Sequence, residues 1–190
     1  MNLDRLQQHC LQFLEKSDPA DGAHDISHVR RVVKNCSYLT DIESANASIT
    51  IPAAWLHDCV AVPKDSPLRS QGSRLAAEAA VEFLAEIDYP QEHLEDIYHA
   101  IEAHSYTAAI PTRTLEAQIV QDADRLDSLG AIGIARCLLV GGHLNRPLCD
   151  ANDPFCDDRE PDDSLYTIDH FYNKLFKLPD TMQTDAGRAE

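Results

Sequence analysis

No CxxC pair joins any of the six cysteines, Cys10, Cys36, Cys59, Cys137, Cys149 and Cys156. That excludes a zinc ribbon or a disulfide scaffold and makes reduced thiols the expectation. Basic residues are scarce as well: 16 stand against 32 acidic ones, a net charge of -16. A field of that sign opposes a nucleic-acid backbone, so no nucleic-acid polymer is expected as partner. A small phosphorylated ligand stays compatible, because a bound metal ion inverts the field locally. No apolar run is long enough to cross a bilayer, since the longest, Leu129 to Gly142, is interrupted by Arg136. The opening MNLDRLQQHC carries charge where a secretion signal would be apolar. No membrane partner is expected, and the expected location is cytoplasmic. Alternating strand patterns and internal repeats are absent too. The 190 residues, 44% apolar and 25% charged, predict one soluble domain over 1–190 with its core at about 20–178.

What the chain has is helical spacing, so the fold class is all-α. Amphipathic helices are predicted over Leu3–Lys16, His24–Asp41, Leu75–Ile87, Glu92–His104, Leu115–Leu129 and Tyr166–Leu178. Ile51 to Val62, IPAAWLHDCVAV, is apolar except for His57 and Asp58 and reads as a buried helix broken at Pro63. Leu129–Gly142 reads as another buried helix. Residues 143–164 hold three prolines and seven acids without periodicity, which makes them a lid candidate.

An imidazole beside a carboxylate in an apolar run needs hydrogen bonds or a metal. Other ligand types sit on or beside apolar helical faces: His28, His99, His104 and Asp124. One ligand per helix, converging in a core, is how helical bundles build metal sites. Imidazole with carboxylate suits Mn, Fe, Co, Ni or Zn, and carboxylate with water suits Mg. Two His and two Asp leave coordination positions open for water and substrate. Lys64, Arg69 and Arg74 cluster after the HD pair and are candidate substrate-binding residues for phosphate oxygens. Asp122 and Asp127 read as solvated or paired with Arg125, with Asp127 one turn from Asp124. The reading of His99 is structural.

Longer patterns carry a resemblance. They are HDISHVRRV from His24, His57-Asp58, AHS at 103–105, QDADRLDSLGAIGIAR from Gln121, NRPLCDANDPF from Asn145 and DHFYNKL from Asp169. In this ordered set the chain resembles the HD-domain metal-dependent phosphohydrolases, most of all the small single-domain bacterial members. The resemblance implies an HD-type helical bundle with a divalent metal ion (Mn, Mg, Co, Ni, Fe or Zn) in its core. It implies His28, His57, Asp58 and Asp124 as ligands and attack of a metal-bound water on a small phosphorylated substrate, a nucleotide. Loss of inorganic phosphate and loss of pyrophosphate both stay open. Asp58 would orient or deprotonate the water, and His104 would act as base or acid behind it. Cys59 to Val62 lack the Glu-Asp of alarmone hydrolases and the Gly-Lys of cyclic-di-GMP phosphodiesterases, so neither activity is assigned. Two rival readings stand: a di-iron HD oxygenase recruiting His99 and His104, and a non-catalytic metal-stabilised binding module. Assembly into a homo-oligomer is left open.

Overall fold

A computed structural model describes residues 3–16, 22–62 and 66–190. Among these the protein is all helical, with no strand. The helices are α1 (Leu3–Leu14), α2 (Ile26–Glu43), α3 (Ala47–Leu56), α4 (Gly72–Glu86), α5 (Leu94–His104), α6 (Leu115–Leu126), α7 (Gly130–His143), α8 (Asp169–Asn173) and α9 (Asp185–Ala189). No helix among them is long and apolar enough to cross a membrane. Local chemistry sets several starts. Asp25 caps α2 by accepting from the His28 amide, Asn46 caps α3 from Ser48, and Thr114 caps α6 from Ala117.

Helix α3 is the centre. Every residue from Ile49 to Leu56 is buried, as its uniform apolarity predicts. It packs against α2, α5 and α6, with α4 laid on α5. Its bounds differ from the sequence reading. The helix starts four residues earlier, at the Asn46 cap, and stops at Leu56 rather than running to Val62. The reason lies in His57, whose ring N–H donates to the Ala54 carbonyl at 2.8 Å. A continuing helix would satisfy that carbonyl with the Asp58 amide. The HD pair therefore sits in a turn at the end of α3.

Helix α7 is not buried all round. Only Gly133, Cys137 and Gly141 are buried, and Ile132, Ile134, Leu138 and Leu139 are 43–56% exposed. The small residues, four apart, form the packing face. A Cβ at Gly133 would lie 2.1 Å from the Ser128 carbonyl oxygen, and one at Gly141 would lie 2.3 Å from Thr167 Oγ1. The large side chains are thereby turned outward. Tyr166–Leu178 is likewise not one helix: α8 is short, and Lys174 at φ -133° leads into a 3-10 turn, Leu175–Lys177.

The acidic stretch has no regular helix, but several of its carboxylates are internal acceptors, while Asp157, Asp158 and Glu160 are exposed. Asp150 accepts from Asn152, Asp153 and Tyr166. Asp153 accepts from the amides of 157 and 158. Arg159 pairs with the fully buried Asp169, which also takes the Asp162 amide. This web ties the segment to itself and to Asp169 at the start of α8.

The C-terminal segment, which has no reading from sequence, belongs to the packed body. Met182, Thr184 and Ala186 are buried. Asp122, fully buried in α6, accepts from the amides of Gln183 and Thr184 and from the Thr184 hydroxyl. Glu43 at the end of α2 takes the Ala186 amide at 2.7 Å.

Candidate metal centre

Four side chains from three places in the fold converge. His28 comes from the first turn of α2, His57 and Asp58 from the turn after α3, and Asp124 from the last turn of α6. His28 Nε2 lies 3.2 Å from His57 Nε2, 3.7 Å from Asp58 Oδ2 and 3.6 Å from Asp124 Oδ1. His57 Nε2 is 3.6 Å from Asp58 Oδ2 and 3.9 Å from Asp124 Oδ1. Both imidazoles are fully buried, whereas the Asp58 and Asp124 side chains keep 33% and 23% exposure. The cluster is closed on the histidine side and open on the carboxylate side.

The outer nitrogens decide what the inner ones can do. His57 Nδ1 donates to a carbonyl, and His28 Nδ1 donates to Asp127 Oδ2 at 2.7 Å. Both acceptors take a proton only, so each ring turns its Nε2 to the interior, where it offers a lone pair once that nitrogen is deprotonated. His28, His57 and Asp58 bring ligand atoms within 4.8 Å of one another, and Asp124 Oδ1 stands beside the two imidazoles, a donor set that suits a cation. Burial disfavours a charged ring and lowers the His57 pKa to about 4. For His28 burial pulls the same way, but the hydrogen bonds to Asp127 and Asp58 outweigh it and raise the pKa to about 9, so a cation entering the cluster would displace a proton from its Nε2. Burial resists ionisation of the two acids, yet the neighbouring imidazoles prevail. Asp124 falls to about 2 and Asp58 lies well below its usual value. The donor set fits a divalent ion of the Mn, Fe, Co, Ni or Zn kind, or Mg completed by water.

His104, at the end of α5, stands on the far side of Asp58. Its Nδ1 donates to the Ile101 carbonyl at 2.6 Å, and its Nε2 is 3.6 Å from Asp58 Oδ1. Asp58 thus shows one oxygen to the two histidines and the other to His104. His99 does not join them. Its Nε2 accepts from the Arg113 amide and its Nδ1 meets Glu102, so both nitrogens are engaged elsewhere.

Asp127 is neither solvated nor paired with Arg125. It is 3% exposed and receives His28, Arg31 at 2.6 Å and Arg136 at 3.2 Å. Burial alone would raise its pKa; the His28 and Arg31 hydrogen bonds hold it below the usual value. The cue in the sequence was its place one turn after Asp124. Asp127→Asn would lose the charge that orients His28 Nδ1–H and is expected to weaken metal affinity about 10–100-fold. Calorimetric titration with Mn2+ checks this, and unchanged affinity would remove Asp127 from the centre.

A cavity of about 290 Å³ lies near the cluster, although none of His28, His57, Asp58 and Asp124 lines it. Its walls carry His24, Arg69, Arg136, Arg146, His170 and Lys174. The His24 ring is 5.7 Å from that of His28, and Arg136 reaches Asp127, so the cavity and the cluster share a wall. This is a cationic recess in a chain of net charge -16. Of the three basic residues singled out after the HD pair, Arg69 lines it and also donates to the Val62 carbonyl at 3.4 Å. Arg74 is exposed on α4 and is not among the lining residues. Lys64 lies outside the described residues. Arg136, Arg146, His170 and Lys174 had no assigned role from sequence. Arg136 had a signal, as the one charge inside the longest apolar run.

Comparison with known proteins agrees with this geometry. Residues 25–129 match the family model of the HD domain. The YpgQ protein of Bacillus subtilis (strain 168) is 31% identical over 176 residues, covering 90% of this chain and 77% of that protein. Its crystal structure in complex with ADP superposes with a TM-score of 0.71 at 28% identity, over 97% of this chain and 86% of that one. A Lactobacillus plantarum protein gives a TM-score of 0.75 at 30% identity, over 99% and 88% of the two chains. An HD-superfamily hydrolase from Bacillus thuringiensis gives 0.70 at 30%, over 98% and 87%.

Proposed function

The chain belongs to the HD domain family, and on that footing we propose that it is a metal-dependent phosphohydrolase acting on a small phosphorylated substrate, a nucleotide. We take the whole chain, 1–190, as one HD unit, since residues 182–189 pack onto α2 and α6. The observation that carries the reading is the His–Asp cluster near a cavity lined by cations, one of which, Lys174, interacts with Asp124. A structural metal site would be closed by its ligands. This one keeps its carboxylate side accessible.

His28, His57, Asp58 and Asp124 would hold the ion. When bound it supplies Lewis acidity and acidifies water at neutral pH. The remaining roles fall to side chains. Arg69, Arg136, Arg146 and Lys174 would take the phosphate oxygens and offset their charge. Asp58 Oδ1, facing His104 Nε2 at 3.6 Å, would take the proton of the attacking water and share it with that ring. The nucleotide as substrate class draws support from the size and charge of the cavity and from the ADP bound by YpgQ. With both His99 nitrogens engaged, the arrangement favours one ion over a di-iron pair.

The test is a screen of phosphomonoesters, cyclic nucleotides and nucleoside triphosphates with Mn2+, Co2+, Ni2+ and Mg2+. Hydrolysis of at least one nucleotide is expected, abolished by chelator and restored by metal. A blank across the screen with fully metallated protein would instead favour a binding module.

A further inference from the structure

The cavity holds an imidazole–carboxylate pair apart from the metal cluster. His170 on α8 donates from Nδ1 to Asp163 Oδ2 at 2.6 Å. Asn173, one turn further along, donates to Asp163 Oδ1 at 3.2 Å. Asp163 is thereby held by two side chains of one short segment. Both His170 and Asp163 line the cavity, and neither is a ligand candidate. A carboxylate on Nδ1 fixes the ring orientation and supports its protonated form, with Nε2–H as the second donor.

We propose that His170 is a catalytic residue, the general acid for the leaving group, with Asp163 as its positioning residue. This rests on the phosphohydrolase reading above. In an in-line displacement the attacking and leaving oxygens stand on opposite sides of phosphorus. The attacking side belongs to Asp58 and His104, and the leaving oxygen would lie on the other side, toward the cavity whose Lys174 interacts with Asp124. The balance is simple. The water oxygen bonds to phosphorus, the bond from phosphorus to the leaving oxygen breaks, and the proton on His170 Nε2 passes to that oxygen. The water proton remains with Asp58 and His104.

The charges around the pair suit this. Arg146 acts on Asp163, Arg69 enters from the turn before α4, and Lys174 lies one turn along from His170. These cations would hold a phosphate beside the pair.

Leaving-group dependence tests the idea. A p-nitrophenolate leaves without a proton, whereas a phenolate gains from one. His170→Gln and Asp163→Asn are assayed with Mn2+ on p-nitrophenyl and phenyl phosphate and on the same two esters of thymidine 5′-phosphate. The expected result for His170→Gln is a loss of about 100-fold on the phenyl ester and less than about threefold on the p-nitrophenyl ester. Asp163→Asn should show the same selectivity at smaller size. Mn2+ affinity, read by calorimetry, should stay at the wild-type value in both. Equal losses on the two esters, no loss on either, or loss of Mn2+ binding would overturn the role. If the metallated wild type hydrolyses neither these esters nor any nucleotide, the phosphohydrolase reading itself fails.

Discussion

His57→Ala is expected to empty the metal centre and to lower kcat/KM by at least about 10³-fold. Lewis-acid stabilisation by a bound ion is worth several kcal/mol in the transition state, and each 1.36 kcal/mol is a factor of ten. Of the four proposed ligands His57 is the one that water would not replace, because it is fully buried and its Nε2 faces inward among His28, Asp58 and Asp124. Elemental analysis of the purified variant, with turnover of the substrate found by the screen, measures both effects. Circular dichroism separates them from unfolding. A variant that keeps stoichiometric metal and wild-type turnover would dismiss the proposed ligand set.

The second large effect is on stability and lies at Asp122. Its carboxylate takes the Gln183 amide at 2.9 Å and the Thr184 amide and hydroxyl at 2.8 Å each, with no exposure to solvent. Asp122→Ala would leave those donors without an acceptor in a buried place. Each such loss costs about 1–3 kcal/mol. The packing offers no relief, because Gly187 approaches Asp122 so closely that a Cβ there would lie 2.5 Å from Oδ2. A total near 3 kcal/mol corresponds to a fall in melting temperature of roughly 10 °C for a chain of this length. Thermal unfolding followed by circular dichroism gives the number. Faster amide exchange across 182–189 locates it. A shift below about 2 °C would mean that the C-terminal segment is held by something other than Asp122.

The helical class was legible from periodicity, and the side chains that converge on the centre from their setting: His28 and Asp124 beside periodic apolar faces, His57 and Asp58 as the polar pair in an apolar run. Periodicity states which residues turn inward. It does not state what meets them there. Asp122 and Asp127 look like solvent-facing acids beside Asp124, yet their partners come from far along the chain: Thr184 for one, His28 and Arg31 for the other. Burial of a carboxylate depends on such distant donors, which no local pattern contains. The end of α3 at Leu56 depends instead on a local contact, one ring nitrogen of His57 taking the Ala54 carbonyl three residues before it. For α7 the apolar count pointed to a buried helix, but the close approach of Ser128 and Thr167 to glycine selected the small face for packing. Arg136 inside that run was readable as an anomaly, and its place beside Asp127 and the cavity explains it.

The tie between Asp122, Glu43 and the segment from Gln183 to Ala186 bears on the order in which the molecule is made. Synthesis delivers α2, α3 and α6, with His28, His57, Asp58 and Asp124, before residues 182–189 leave the ribosome. Until then the buried carboxylate that leads α6 into Asp124 has no donors. A nascent chain therefore carries all four side chains of the centre without the fastening behind two of the helices that hold them. The centre is expected to reach its full order only once residues 182–189 have emerged, and a newly made chain to acquire its ion after that point rather than before it.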